Sequence, residues 1–292
     1  MYVVTGVTGN TGAVVAETLL ARGEAVRVLV RDAGKAAKWA ARGVEVVEGN
    51  VKDAAAVARA LAGAKGAYLL DPPDYGSRDP MADADAVGAA YAEAIRKTAL
   101  PHAVVLSSIA AHHPDGTGII GTLHRMETIL RGAGAPVTFL RAAYFMENWG
   151  NVLEPALGQG VLPSFIHPLD KALPMVSVAD IGRTAADLLL EGARGVRVVE
   201  LSGPAEASPA DAAAAIGAAA GRAVQAVAVP RGEWAPTLAG VGFPPDVVAL
   251  FVGMYDGINN GRVAWEGQEA RRGAATLDAA LRRLVEGRKV AA

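Results

Sequence analysis

A chain of 292 residues with 28 basic and 30 acidic side chains, a formal net charge of −2, has length for one large α/β domain, alone or with a smaller lobe, and no strong field to draw it to nucleic acid. It contains no cysteine, which excludes disulfides, thiolate chemistry and cysteine-based zinc sites. Its most apolar stretch, 237–255, is broken by Pro244, Pro245, Asp246 and several glycines; that argues against a membrane span and for a helix over a core, a substrate pocket or a partner subunit.

The first dozen residues carry the strongest signal. Val3, Val4 and Thr5 form a short β-branched run in a strand that starts at residue 2, which leaves no room for a signal peptide and makes a cytoplasmic protein the expectation. Glycines follow at 6, 9 and 12, and a helical pattern begins at Ala13. Strand, tight turn and helix N-terminus make an anion site, because backbone N–H groups converge there and the helix dipole adds about half a positive charge. Glycine allows a positive φ and lets a phosphate approach the backbone. With a strand before and a helix after, the pattern predicts a bound dinucleotide rather than an empty glycine-rich turn.

Glu24–Val30 reads as a buried parallel strand ending in Arg31-Asp32. At this point of a doubly wound fold an acid holds the ribose 2′-hydroxyl of NAD, and an arginine accommodates the 2′-phosphate of NADP. Arg31 comes first, and its planar fork suits a phosphate. Lys35 and Lys38 add positive charge on a helix near 33–42. NADPH is therefore the expected cofactor, with NADH as the alternative. A solvated Arg-Asp pair is the plainer reading of the same two residues.

Downstream, Val44–Glu48 reads as a third strand, and Asp53 caps a helix over Ala54–Leu61. Gly66–Leu70 is a fourth strand ended by Asp71-Pro72-Pro73, followed by a long helix over about 80–98. His102–Ser107 is a fifth strand; a helix near 119–133 and a sixth strand at Val137–Arg141 follow. This alternation implies a parallel sheet covered on both faces, with ligands at the carboxyl ends of its strands. From Tyr144 the rhythm changes. Residues 149–175 read as loops, Ala179–Glu191 as a helix, and Arg197–Leu201 as a strand returning to the sheet. Ser208-Pro209-Ala210-Asp211 opens a capped helix. The expected fold is α/β: a Rossmann-like doubly wound parallel sheet with a smaller, mostly helical C-terminal lobe. Residues 1–150 with about 175–203 would form the nucleotide-binding domain. Residues from about 151 to 174 with 204–292 would form the substrate-binding lobe, the substrate pocket lying between the two.

Gly6-x-x-Gly9-x-x-Gly12 with Asn10-Thr11 inside it, Arg31, Pro72-Pro73, Glu127 followed by Leu140-Arg141, Tyr144-Phe-Met-Glu-Asn148 and Val178-Ala-Asp-Ile-Gly182 recur along nearly the whole chain. Together they resemble the NmrA-like group of atypical short-chain dehydrogenase/reductases. Two positions depart from that pattern: Ala142 stands where the group has proline, and Gly49-Asn50 where it has Gly-Asp. The resemblance implies that Thr8, Gly9, Asn10, Thr11 and Gly12 cradle the diphosphate, and that Arg31 meets the adenosine phosphate; Gly6 of the turn and Lys35 join the expected cofactor-binding residues from the local reading above. It implies Asn50 at the adenine edge, Leu70 and Pro72 along the ribose, and Ser107, Tyr144, Phe145 and Asn148 around the nicotinamide. Each has a structural alternative: Asn50 shapes a turn, Ser107 ends a strand, Tyr144 and Phe145 are core aromatics. Asp180 reads as a helix N-cap rather than a catalytic acid.

The Tyr-x-x-x-Lys pair with which short-chain dehydrogenases move a proton is missing. Residues 109–131 hold neither tyrosine nor lysine, and Tyr91 and Lys97 lie in an earlier helix. The stretch offers His112, His113, His124 and Arg125 instead. Adjacent histidines usually point apart, so no metal site is expected. His124 and Tyr144 are the candidate catalytic residues, a surface helix histidine being the plainer reading of His124. Hydride transfer without a dedicated acid suits acceptors that are already electrophilic: quinones, conjugated enones, iminium ions or triarylmethyl cations. The expected enzyme is thus an NADPH-dependent reductase of a small apolar or aromatic acceptor; the resemblance brings in quinone and triphenylmethane reductases. The alternative is a non-catalytic NAD(P)-sensing regulator of the NmrA type that acts through a protein partner. A homodimer is compatible with the sequence, whereas nucleic acid, membrane and metal are not expected partners.

Overall fold

The computed structural model describes residues 1–291. β1 (Tyr2–Thr5) leads into α1 (Asn10–Ala21), and the alternation continues through β2 (Val26–Val30), α2 (Ala37–Ala40), β3 (Glu45–Glu48), α3 (Ala54–Leu61), β4 (Gly66–Leu69), α4 (Pro80–Thr98), β5 (Ala103–Ser108), α5 (Gly121–Arg131) and β6 (Val137–Ala142). Then come β7 (Tyr144–Phe145), α6 (Leu153–Gln159), β8 (Val161–Ser164), β9 (Leu173–Val176), α7 (Val178–Glu191) and β10 (Val196–Ser202). The chain finishes with β11 (Glu206–Ala207), α8 (Pro209–Ala220), β12 (Gln225–Ala228), α9 (Trp234–Gly240), α10 (Pro245–Asn259), β13 (Glu269–Arg272) and α11 (Leu277–Ala291).

Eight strands form one sheet in the order β13-β10-β6-β5-β4-β1-β2-β3, each pair parallel. The chain leaves β1 toward β2 and β3, then crosses back to β4 on the other side. That reversal between β1 and β4 opens a crevice at the carboxyl edge, the position where α/β sheets bind ligands. The sheet and its covering helices are the Rossmann-like arrangement expected from the alternation, and 197–201 does return to it as β10. β13 adds an eighth strand from within the stretch assigned to the helical lobe.

Successive residues of each inner strand are buried on opposite faces. Val4, Val28, Tyr68, Val104 and Leu140 pack with Val15, Leu19 and Ile181 of α1 and α7. Val3, Leu29, Leu69, Val105 and Phe139 pack with Val57, Tyr91, Ile95 and Leu130 of α3, α4 and α5. Each large apolar side chain enclosed this way contributes about 1.5–3 kcal/mol. A third cluster, including Trp149, Leu153, Leu162, Ile216 and Leu281, forms the core beneath α6, α8 and α11.

Residues 149–175 are more ordered than their glycines and prolines suggested. They hold α6, which ends at Gly160 in the left-handed conformation, together with β8 and β9. β8 pairs with β12, and β9 pairs with β7 and β11. Those partners lie 31 to 64 residues away in sequence, so no local periodicity announces the strands. Two of the capping expectations hold: Asp53 accepts from the Ala55 and Ala56 amides at 2.9 and 3.2 Å, and Ser208 and Asp211 form a reciprocal capping box. Residues 237–255 divide between α9 and α10, and no helix among the described residues is long and apolar enough to cross a membrane.

Candidate functional site

The loop from β1 to α1 has a geometry that only glycine satisfies at two points. Gly6 sits at φ +66°, and a Cβ there would come within 2.7 Å of Leu70 Cδ2. A Cβ on Gly12 would lie 2.4 Å from the Gly6 carbonyl oxygen and 2.7 Å from that of Thr5, so α1 starts in contact with the strand end. Gly9 is the N-cap residue; no side chain caps α1 and no acid stands in its first turn. The orphan N–H groups of that turn, with the positive end of the dipole, remain available to an anion. Thr8, Gly9 and Asn10 are exposed, whereas the Thr11 hydroxyl is buried and accepts from the Tyr68 phenol at 3.0 Å. This donor set fits a diphosphate.

Beside the loop, along the carboxyl edge, runs a cavity of about 710 Å³. Arg31, Asn50, Leu70, Pro72, Ser107, Tyr144, Phe145 and Asn148, eight of the residues singled out in the sequence, all line it. Arg31 is exposed and has no ion pair among the described residues, because Asp32 turns its carboxylate onto the Gly34 amide at 2.9 Å. Asn50 lines the cavity while also shaping a turn, accepting from the Lys52 amide at 3.0 Å. Lys35 lies in a 3-10 turn outside the cavity lining, and Lys38 is drawn over the Trp39 ring, 5.2 Å from its centroid.

The opposite wall is apolar. Val247, Phe251, Met254 and Ile258 form one stripe of α10 facing the cavity, so part of the 237–255 stretch covers the pocket. At the rim, Tyr75 stacks on Phe243 and meets Phe251, with ring centroids 5.3 and 5.7 Å apart. Pairing of β7 with β9 aligns Tyr144 with Met175 and sets the tyrosine in the wall. Burial, reinforced by the neighbouring Tyr255, holds the Tyr144 phenol well above its ordinary range. It remains a neutral hydrogen-bond donor and cannot serve as a base near neutral pH.

Two expectations, on the histidine pair and on Asp180, are corrected, and the place of His124 is fixed. His124 is absent from the cavity lining; half-buried, it places Nδ1 2.9 Å from the Ala111 carbonyl oxygen and so ties α5 to the preceding loop. His112 and His113 do not point apart, since their ring centroids are 3.9 Å apart. Even so, no group of three metal-ligating side chains occurs among the described residues. Asp180 is not the N-cap of α7: Ser177 is, and Asp180, three residues on, accepts from the Ala275 amide at 2.9 Å and from Arg183.

Two features at the cavity went unrecognised in the sequence. Asp71 lines the cavity, and burial pushes its carboxyl up to about 6, opposed by Lys52 and assisted by Asp83. Its signal was an acid at the end of a parallel strand immediately before two prolines, which keep the backbone extended. The other is a buried ion pair behind Ser107. Glu127, on α5, receives the Ser107 hydroxyl at 2.6 Å and the Arg141 fork at 2.9 and 2.7 Å. Glu127 and Arg141 are 2% and 1% exposed. A glutamate in a helix and an arginine inside a buried strand had to find one another, because an unpaired buried charge is prohibitive.

Comparisons with known proteins agree with this architecture. The chain is 27% identical over 257 residues to an NAD(P)H azoreductase of Xenophilus azovorans, covering 87% of this chain and 86% of the relative. It is 27% identical over 264 residues to quinone oxidoreductase 2 of Escherichia coli, covering 89% of each. Its fold superposes on the triphenylmethane reductase of a Citrobacter species, crystallised with NADP(H), with a TM-score of 0.80 at 20% identity over 97% of this chain and 100% of that one. The pattern of the NmrA-like family matches residues 2–265, which include the glycine loop, the cavity wall and every strand of the sheet except β13, and the chain belongs to that family.

Proposed function

We propose that this protein is an NADPH-dependent reductase of a small apolar or aromatic acceptor. One observation carries the reading. A single cavity runs from Arg31 and Asn50 at the β2 and β3 ends to Ser107 and Tyr144 at the β5 and β7 ends, and continues into the apolar wall of α10. A dinucleotide and a flat hydrophobic acceptor can share such a space. The names of the azoreductase and quinone oxidoreductase relatives support a reductase, and those of the NADP(H)-bound structures support the cofactor.

In this reading the open N-terminus of α1 holds the diphosphate through its amides, and Arg31 meets the 2′-phosphate. Lys35, on the adjacent turn, adds only long-range positive potential. Leu70 and Pro72 would line the ribose. The nicotinamide, once bound, supplies a hydride. Val247, Phe251 and Met254 keep water from the acceptor, and Tyr144 offers a neutral phenol as donor. Quinones, conjugated enones, iminium ions and triarylmethyl cations suit a site whose α5 carries neither tyrosine nor lysine. In the neutral cases solvent supplies the proton that accompanies the hydride.

Purified protein should oxidise NADPH steadily with at least one member of a quinone, enone and cationic-dye panel; binding without any turnover would favour the non-catalytic sensor. Arg31→Glu should weaken NADPH binding by about 10-fold to 100-fold, the loss of a charge-assisted hydrogen bond, and leave NADH nearly unaffected. Equal dissociation constants for the two cofactors in the unmodified protein would remove Arg31 from this role.

A further inference from the structure

The Ser107 hydroxyl has a fixed polarity. Its oxygen lies 2.6 Å from Oε1 of Glu127. That carboxylate also accepts from Nε and Nη2 of Arg141 at 2.9 and 2.7 Å, and from Arg131 at 3.2 Å. A carboxylate held between two guanidinium groups is an acceptor only, so the one proton of Ser107 must point at Glu127. Arg141 is anchored in turn by Glu266 from the segment before β13, so the pair cannot easily swing away. Ser107 has no other side-chain partner among the described residues, yet it lines the cavity. With its proton on Glu127, the oxygen of Ser107 has only lone pairs left to offer, and they have no partner among the described residues.

We infer that Ser107 is an acceptor-only reader of an N–H donor, and that Glu127 and Arg141 are the positioning residues that make it so. Resting on the cofactor reading above, the donor is the carboxamide NH₂ of the nicotinamide ring. The same geometry excludes the opposite role: Ser107 cannot donate a hydrogen bond to a substrate oxygen or help stabilise an oxyanion while Glu127 holds its proton. Any hydrogen bond donated to the acceptor comes from elsewhere in the wall.

The test compares equilibrium binding of NADP⁺ with its 3-acetylpyridine analogue, in which a methyl group replaces the NH₂ while the carbonyl is kept. The unmodified protein should prefer NADP⁺ by about threefold to tenfold, the weight of one neutral hydrogen bond. Ser107→Ala should bring that ratio close to one, with 2′,5′-ADP, which carries only the adenosine half, bound as before. Glu127→Gln frees the serine proton, so the ratio should fall below that of the unmodified protein in favour of the acetyl carbonyl. A Ser107→Ala ratio equal to the original, or an equal loss of 2′,5′-ADP binding, would overturn the assignment. Failure of the unmodified protein to bind NADP⁺ or NADPH at all would instead bring down the cofactor reading and this inference with it.

Discussion

Gly9→Val should abolish NADPH binding while leaving the fold standing. Gly9 has φ −100° and ψ −174°, extended backbone open to any residue. A Cβ there meets only the Gly6 carbonyl oxygen at 3.4 Å, an ordinary contact. The cost to the protein is the poorer helix-capping of valine, about 1 kcal/mol. The cost to the ligand is larger. A side chain over the first turn of α1 keeps a diphosphate from its amides, and each charge-assisted hydrogen bond lost is worth about 1.5–3 kcal/mol. Two such losses amount to at least about 100-fold in affinity. Gly12→Ala should behave in the opposite way. Its Cβ would collide with backbone at 2.4 Å, so α1 must shift and stability should fall by about 3 kcal/mol. Calorimetric titration with NADPH, run beside thermal unfolding, separates the two effects. Undiminished binding by Gly9→Val would withdraw the diphosphate from this loop.

Asp71→Asn should stabilise the protein at pH 7.5 by about 2–3 kcal/mol, and by nothing at low pH. Burial raises the Asp71 carboxyl to about 6 in the folded protein, against an ordinary value of 3.8. The folded state therefore holds this proton more tightly than the unfolded chain does. Stability from this group is greatest when both states are protonated, falls as pH rises from about 4 to about 6, and stays at its lowest above that. Asparagine carries no charge to bury, so its advantage appears over the same interval. Urea midpoints of both proteins at pH 7.5, 5.5 and 4 would trace it. Equal midpoints at pH 7.5 would mean that Asp71 ionises without penalty. A carboxylate kept buried in a cavity wall at that cost is a mark of a functional surface, where stability is commonly given up.

Much of this molecule was legible along the chain because its signals are local. Strand, glycine turn and helix at 2–21 report their own backbone geometry, and the steric need for glycine at 6 and 12 is met within a few residues and by Leu70. Arg31, Asn50, Leu70, Pro72, Ser107, Tyr144, Phe145 and Asn148 stand at or after strand ends; a parallel sheet brings such ends to one edge, and all eight line the cavity. Three things depended on tertiary structure. β8, β9 and β13 exist only through distant pairing, and no periodicity of their own marks them. His124 had the chemistry of a proton donor, but the rotation of α5 about its axis turned it toward the Ala111 carbonyl. Asp71 and the Ser107–Glu127–Arg141 chain take their properties from desolvation and from partners on other elements. Sequence determines where the backbone can cradle an anion, since that is a matter of φ, ψ and steric room over a dozen residues. Which buried side chains keep or surrender a proton was decided by the folded packing, because that energy depends on the dielectric and the charges that close around each group.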